Sequence, residues 1–285
     1  MKISILKGKL LLIPAASAII LCACQDVIKV DLNNAAPQTV IEGSLSSLSD
    51  TVEVFLSQTT DYFSPQNITP ITDATVSISD NSGNTFQPLT SAKGVYFFGK
   101  LAGTPGKSYT LKVQTSSATY TAQSQMPNMV PIDSLTVTSS SDGDKENDLN
   151  CFIRDPAGIK NYYRIRVFRN GSVLRDSVLK TEPIILFIDK YFDGRSTFLR
   201  VPSRRVGIDY FNPGDTIKVQ LMSIDSYMYY FLRELRDITR TGRFISSTST
   251  PDNPDNNISN HGLGYFSAWA ISEKTLVVDK ILNSQ

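Results

Sequence analysis

From Gln38 to Gln125 apolar and polar side chains alternate in short runs. Val52, Val54 and Leu56 interleave with Glu53, Phe55 and Ser57; Ala74, Val76 and Ile78 recur two apart; Tyr109, Leu111 and Val113 alternate with Thr110, Lys112 and Gln114. A period of two sustained over about four to eight residues is the pattern of half-buried strands. Turn residues separate the runs at Asp80-Asn81-Ser82-Gly83-Asn84, Lys93-Gly94 and Thr104-Pro105-Gly106-Lys107. About seven strands with no helical period predict an Ig-like or transthyretin-like β-sandwich over 38–126.

The segment Met126-Pro127-Asn128-Met129-Val130-Pro131 resists a sheet ladder, because neither proline can donate to it, and predicts a linker over 127–131. Strand patterns resume beyond it at Ile132–Ser139, Cys151–Arg154, Tyr162–Arg169, Val173–Lys180, Thr197–Val201 and Thr216–Ser223. A last strand, Thr275–Val278, is expected after the glycine-rich Gly262-Leu263-Gly264-Tyr265-Phe266. Within Tyr162–Arg169, alternation turns Tyr163, Ile165 and Val167 to the core and Arg164 and Arg166 to the opposite face.

One helix interrupts this pattern, over 226–240. Asp225 can cap it, and Met228, Phe231, Leu235 and Ile238 form an apolar stripe that would pack on the second sheet. Arg236 and Arg240 suit the negative end of the helix dipole, and Gly242 lies just past the end. The expected fold is therefore mainly β: a sandwich followed by a second β-rich domain, 132–285, carrying one amphipathic helix.

The N-terminus has a different character. Lys2, Lys7 and Lys9 precede an uncharged stretch from Leu10 to Leu21. Its twelve residues cover roughly 18 Å as a helix, against a hydrocarbon core of about 30 Å, which is the length of a signal-peptide h-region. Leu21-Cys22-Ala23-Cys24 resembles a bacterial lipobox, with an aliphatic residue three before the cysteine and small residues between. The reading is a signal peptide over 1–23, lipidation of the Cys24 thiol, and a lipidated tether over 24–37 holding the body to the membrane. A diacylglyceryl group anchors far more firmly than a single acyl chain. The implied location is the bacterial outer membrane, with the leaflet undetermined.

Composition narrows the function classes. The chain of 285 residues is 41% apolar and 19% charged with a formal charge of +1, which fits a folded body and excludes a general polyanion binder. After Cys24 it carries 25 basic and 27 acidic residues, so nucleic acid is a poor partner. The charge is uneven: all 13 arginines lie at or beyond Arg154. Arginine offers forked donors favoured at interfaces, which makes Arg164, Arg166, Arg204 and Arg205 candidates for an interaction surface.

Catalytic chemistry is thin. His261 is the only histidine and sits in Asn260-His261-Gly262 with no nucleophile elbow beside it. Cys151, in the apolar run Leu149-Asn150-Cys151-Phe152-Ile153, reads as a packed thiol, and one histidine with one spare cysteine makes no zinc site. No phosphate loop or dinucleotide fingerprint is present. No catalytic residue, metal ligand or cofactor is therefore assigned. The acidic loops 142–148 and 252–257 could bind calcium, but the first lacks the glycine and terminal glutamate of an EF-hand. Asp-Ser/Thr-aliphatic triplets at Thr51, Ser134, Ser177 and Thr216 match an O-glycosylation acceptor.

Several segments, in order, resemble the family of Gram-negative lipoproteins called domain of unknown function 4249. They include Val27-Ile28-Lys29-Val30-Asp31-Leu32, Val40-Ile41-Glu42-Gly43 and Ile71-Thr72-Asp73-Ala74-Thr75-Val76. Gly94-Val95-Tyr96, Pro105-Gly106-Lys107-Ser108-Tyr109-Thr110-Leu111, Pro131-Ile132-Asp133-Ser134-Leu135 and Asn161-Tyr162-Tyr163-Arg164 continue the series. Asn256-Asn257-Ile258-Ser259-Asn260, Gly262-Leu263-Gly264-Tyr265-Phe266 and Ser272-Glu273-Lys274-Thr275 close it. The resemblance implies a lipoprotein that accompanies a TonB-dependent outer-membrane barrel, with no assigned chemistry. The leading expectation is a non-catalytic accessory or binding subunit of such a transporter. A stand-alone lipoprotein that captures a peptide, glycan or metal chelate is the alternative, motivated by Tyr227, Tyr229, Tyr230, Tyr265 and Phe266. A hydrolase using carboxylates alone is the remote one.

Overall fold

The structure, a computed structural model, describes residues 36–48, 50–60, 68–139, 147–176, 180–202, 210–241 and 253–282. Residues Pro37–Gln285 form one compact unit, and the architecture below is that of this unit. The expected signal peptide, Cys24 and most of the tether lie outside the described residues.

Nine strands build the first half: β1 (Thr39–Ser46), β2 (Asp50–Gln58), β3 (Thr69–Pro70), β4 (Thr75–Asp80), β5 (Thr85–Phe86), β6 (Thr90–Ala92), β7 (Val95–Leu101), β8 (Ser108–Gln114) and β9 (Thr119–Gln125). One layer runs β1-β2-β7-β6 and the other β5-β4-β8-β9. The alternating residues do what their period requires. Ile41, Val54 and Tyr96 from one layer meet Ile78, Leu111 and Tyr120 from the other in a single buried cluster. The opposite face of the second layer is polar, with Thr75, Ser77, Thr110, Lys112, Thr121 and Gln123 on neighbouring strands.

Residues 126–131 carry no strand, and the second half follows with β10 (Ile132–Ser139), β11 (Asn147–Arg154), β12 (Tyr162–Arg169), β13 (Ser172–Val173), β14 (Ile185–Ile188), β15 (Ser196–Pro202) and β16 (Thr216–Ile224). Helix α1 (Ser226–Thr241) and β17 (Leu263–Val277) complete it. The sheet β10-β11-β15 packs on the sheet containing β12, β16 and β17, burying Leu149, Cys151 and Leu199 against Tyr163, Ile165 and Leu221. Asn170 and Gly171, both at positive φ, turn β12 into β13, the Asn-Gly pairing that suits a tight hairpin. The chain is thus mainly β, built of packed sheets.

Strand β17 ties the two halves together. Its first part, Leu263–Trp269, runs parallel to β1, and its second, Ala270–Val277, runs antiparallel to β16, so a ten-stranded sheet passes through both. Phe266, Ala268 and Ala270 belong to the first core although they come late in the chain. Phe266 to Ser272 are buried without a break. A strand covered on both faces loses the period of two, which is why the sequence shows only Thr275–Val278 as a strand and leaves Gly262–Phe266 outside it. The expected strand Val173–Lys180 is also corrected: the pairing stops at Val173, and residues 177–179 lie outside the described residues.

Helix α1 lies on the outer face of the large sheet. Met228, Phe231 and Leu232 pack on Tyr162, Met222, Ile224, Trp269 and Ile271, with Leu235 partly buried beside them. Its N-terminus follows β16 directly, so the residue that caps it, Asp225, is held at the end of a buried strand.

Candidate functional site

A concavity of about 860 Å³ opens where the edge strand β9 meets the start of α1 and the segment 256–259. Its floor is the polar face of β8 and β9: Ser108 lies opposite Gln125 and Thr110 opposite Gln123. Tyr227 stands at the rim with 65% of its surface exposed.

The walls are braced by side chains from distant parts of the chain. The Asn257 amide donates to the carbonyls of Gln123 and Phe266, at 3.1 and 2.6 Å, and its Oδ1 accepts from Phe266 N at 3.1 Å. Ser259 Oγ accepts from Thr121 N at 2.8 Å, and Ser259 N donates to Thr121 O at 2.8 Å. Side chains and backbone of this segment thereby cover much of the edge that β9 would otherwise present.

Asp225 is the one carboxylate of the cleft among the described residues. Its Oδ1 accepts from Met228 N at 2.8 Å, capping α1, and its Oδ2 accepts from the Ser124 hydroxyl. Ser124 Oγ in turn accepts from Ala268 N at 2.9 Å. Burial pushes the Asp225 carboxyl above the usual carboxylate range, opposed by the hydrogen bonds from Met228 N, Ser124 and Tyr227 N. Among the described residues the lining contains no Lys, Arg, His or Glu. The described lining is thus neutral apart from a carboxylate already committed to the fold.

The pattern designated Domain of unknown function (DUF4249) matches residues 25–275. The chain belongs to this family. No curated protein matches it. Among solved structures, a cytokine receptor complex is similar over 85% of this chain and 97% of that one, at 10% identity and a TM-score of 0.26. A segment of two fibronectin type-III domains from chicken tenascin is similar over 66% of this chain and 91% of that one, at 11% identity and a TM-score of 0.22. The DUF4249 match spans every strand that forms the cleft.

The arginines named from the sequence have defined places in this DUF4249 chain. Arg164 and Arg166 share the outer face of β12, and both donate to Glu182: Arg164 Nη2 at 3.0 Å, Arg166 Nε and Nη2 at 2.7 and 2.8 Å. Burial holds the Arg164 guanidinium below its ordinary pKa, countered by the Glu182 charge. Arg164, Glu182, Glu42 and Tyr265 line a smaller recess of about 350 Å³ beside α1. Arg204 and Arg205 lie outside the described residues. Of the five C-terminal aromatics, Tyr229 and Tyr230 pack around Tyr162 at 5.0 and 6.0 Å, Tyr265 meets Phe231 at 5.1 Å, and Phe266 is buried. Tyr227 is the exposed one, and it belongs to the cleft.

Three carboxylates that sequence reading missed do converge. Asp155, Asp189 and Asp193 each offer an oxygen within 4.8 Å of the others, an oxygen set of the kind that suits a hard cation. Each is also bonded within the protein. Asp155 accepts from the Tyr163 hydroxyl and from Gly194 N at 3.1 Å, Asp189 from Asn161 N at 2.6 Å, and Asp193 from Gly158 N at 2.9 Å. The group therefore staples the loop after β11 to the loop before β15. In sequence these carboxylates are scattered, and no local spacing announces them. Of the two acidic loops considered for calcium, the first lies outside the described residues except for Asn147 and Asp148. In the second, Asp255 is exposed and its backbone N donates to Glu234 at 2.9 Å.

Cys151 is fully buried, and burial, with the nearby Asp133 charge, pushes its thiol up to about 12. His261 sits in an exposed turn at φ 57°. Thr51, Ser134 and Thr216 are exposed, while Ser177 lies outside the described residues.

Proposed function

We propose that this protein is a lipid-anchored, non-catalytic binding subunit of the bacterial outer membrane that works beside a TonB-dependent barrel. The cleft carries the reading. It is open, its described lining is made of neutral hydrogen-bonding groups, and the one carboxylate among them is spent on capping a helix. Such a surface can hold a ligand but supplies no activated acid, base or nucleophile. The two groups best suited to nucleophilic chemistry support the same reading: the Cys151 thiol is buried with a raised pKa, and His261 lies in a turn. Anchoring rests on Leu21-Cys22-Ala23-Cys24, and the barrel partner on what the family resemblance implies.

The test is co-purification. With a tag after Gln285 and gentle extraction of native membranes, an outer-membrane barrel should come down in stoichiometric amount and be lost in the Cys24→Ala strain. Recovery of the lipoprotein alone overturns the transporter association. It favours instead stand-alone ligand capture, for which the exposed Tyr227 at the cleft is the motivating observation.

A further inference from the structure

We infer that the cleft between β9, the start of α1 and residues 256–259 is a binding site for a neutral oligosaccharide. The inference deepens the binding-subunit reading and rests on it. Three features of the lining select this chemistry.

The first is charge. A phosphate, sulfate or uronate entering the cleft would lose water and meet no cation among the described lining residues, while a cationic ligand would find the Asp225 carboxylate already bonded to Met228 N and Ser124. The second is the balance of polar and apolar groups. Apolar side chains in the lining are few, chiefly Ala122 and Ile258, and Tyr227 adds one exposed ring at the rim. The exposed surface of the cleft is divided about evenly between polar and apolar atoms, whereas a lipid or aromatic ligand needs a mostly apolar pocket. A sugar, with one face of C–H groups and a periphery of hydroxyls, needs an aromatic platform and groups that both donate and accept.

The third is repetition. Gln123 and Gln125 lie on the same face of β9, two residues or about 7 Å apart. Among the described residues neither side-chain amide has a protein partner, and each offers one acceptor and two donors. Identical amides at a fixed spacing suit a chain of similar units. A peptide fits less well, because the main-chain groups it would pair with are taken: Thr121 N and O by Ser259 and Gln123 O by Asn257.

The test is titration calorimetry on the full lipidated chain in micelles of a detergent without a sugar headgroup. The probes are maltohexaose, cellohexaose, xylohexaose, laminarihexaose, hexagalacturonate and a neutral Ser/Thr-rich decapeptide. At least one neutral hexasaccharide should bind. Its affinity should fall roughly tenfold or more in Tyr227→Ala and in the Gln123→Ala/Gln125→Ala double variant, with thermal stability unchanged. Absence of binding by all four neutral sugars overturns the proposal, as does binding indifferent to both variants, or tighter binding of hexagalacturonate or the decapeptide. If the barrel still co-purifies in any of those cases, the ligand class alone is wrong. If the barrel is missing as well, the binding-subunit reading falls with it.

Discussion

The Ser124 hydroxyl donates to Asp225, joining the edge strand of the first sandwich to the cap of the helix that lies on the second. These residues are 101 positions apart. Ser124 also accepts from Ala268 N on the shared strand, so one small hydroxyl ties β9, α1 and β17 at the point where the cleft begins.

Removing that hydroxyl leaves Ala268 N and one Asp225 oxygen without their partner. Ser124→Ala should cost about 1–3 kcal/mol of unfolding free energy, because a buried polar atom left unpaired carries its desolvation penalty. Urea denaturation of the two proteins measures this, and a change near zero would show that the tie is not made.

Asp225 also gives stability a pH dependence of known sign. Its folded pKa lies above the ordinary value of 3.8. Between the two values the folded state binds more protons than the unfolded one, so the contribution of this group falls as pH rises through that window and is constant above it. Asp225→Asn keeps a capping acceptor for Met228 N and removes the titration. Melting curves from about pH 4 upward should therefore show the wild-type protein losing stability relative to Asp225→Asn as the pH rises.

Gly264 sits at φ +97°, opposite Ile41 in the parallel pairing of β1 with β17, and a Cβ there would meet Ile41 O at 2.1 Å. Backbone cannot yield as a side chain can. Gly264→Ala should destabilise by more than about 3 kcal/mol. Gly171→Ala, also at positive φ but in open space, should cost only the conformational strain, about 1–2 kcal/mol. Equal costs in chemical denaturation would contradict the close approach at Gly264.

Glu182 neutralises two guanidinia at once. Glu182→Gln should leave Arg164 and Arg166, whose side chains are 15% and 31% exposed, without the carboxylate that they share. The expected loss is about 1–3 kcal/mol, below that of a fully buried pair because solvent reaches Arg166. It should shrink as salt is raised. A salt-independent loss would point to packing in place of charge.

Cys151 should be inert in the folded state. With Cys22 and Cys24 replaced by serine, a thiol reagent at about pH 8 should label nothing until denaturant is added, since only the thiolate reacts and burial suppresses it. Rapid labelling of the native protein would refute its placement between β10 and β15.

What the sequence determined by itself is what depends on near neighbours. The alternation in Tyr162–Arg169 placed Tyr163, Ile165 and Val167 in the core and both arginines outside it, and Asp225 announced the start of α1, because side-chain direction and capping are settled within a few residues. The order of short motifs was enough to point to the family. Tertiary structure alone decided which strands meet. Strand β17 is buried on both faces along Phe266–Ser272, so its period was erased and its partners β1 and β16 could not be read from it. The cleft and the Asp155–Asp189–Asp193 group draw on segments far apart in the chain. Their assembly follows from how two cores pack around one shared strand, a long-range choice that no local spacing encodes.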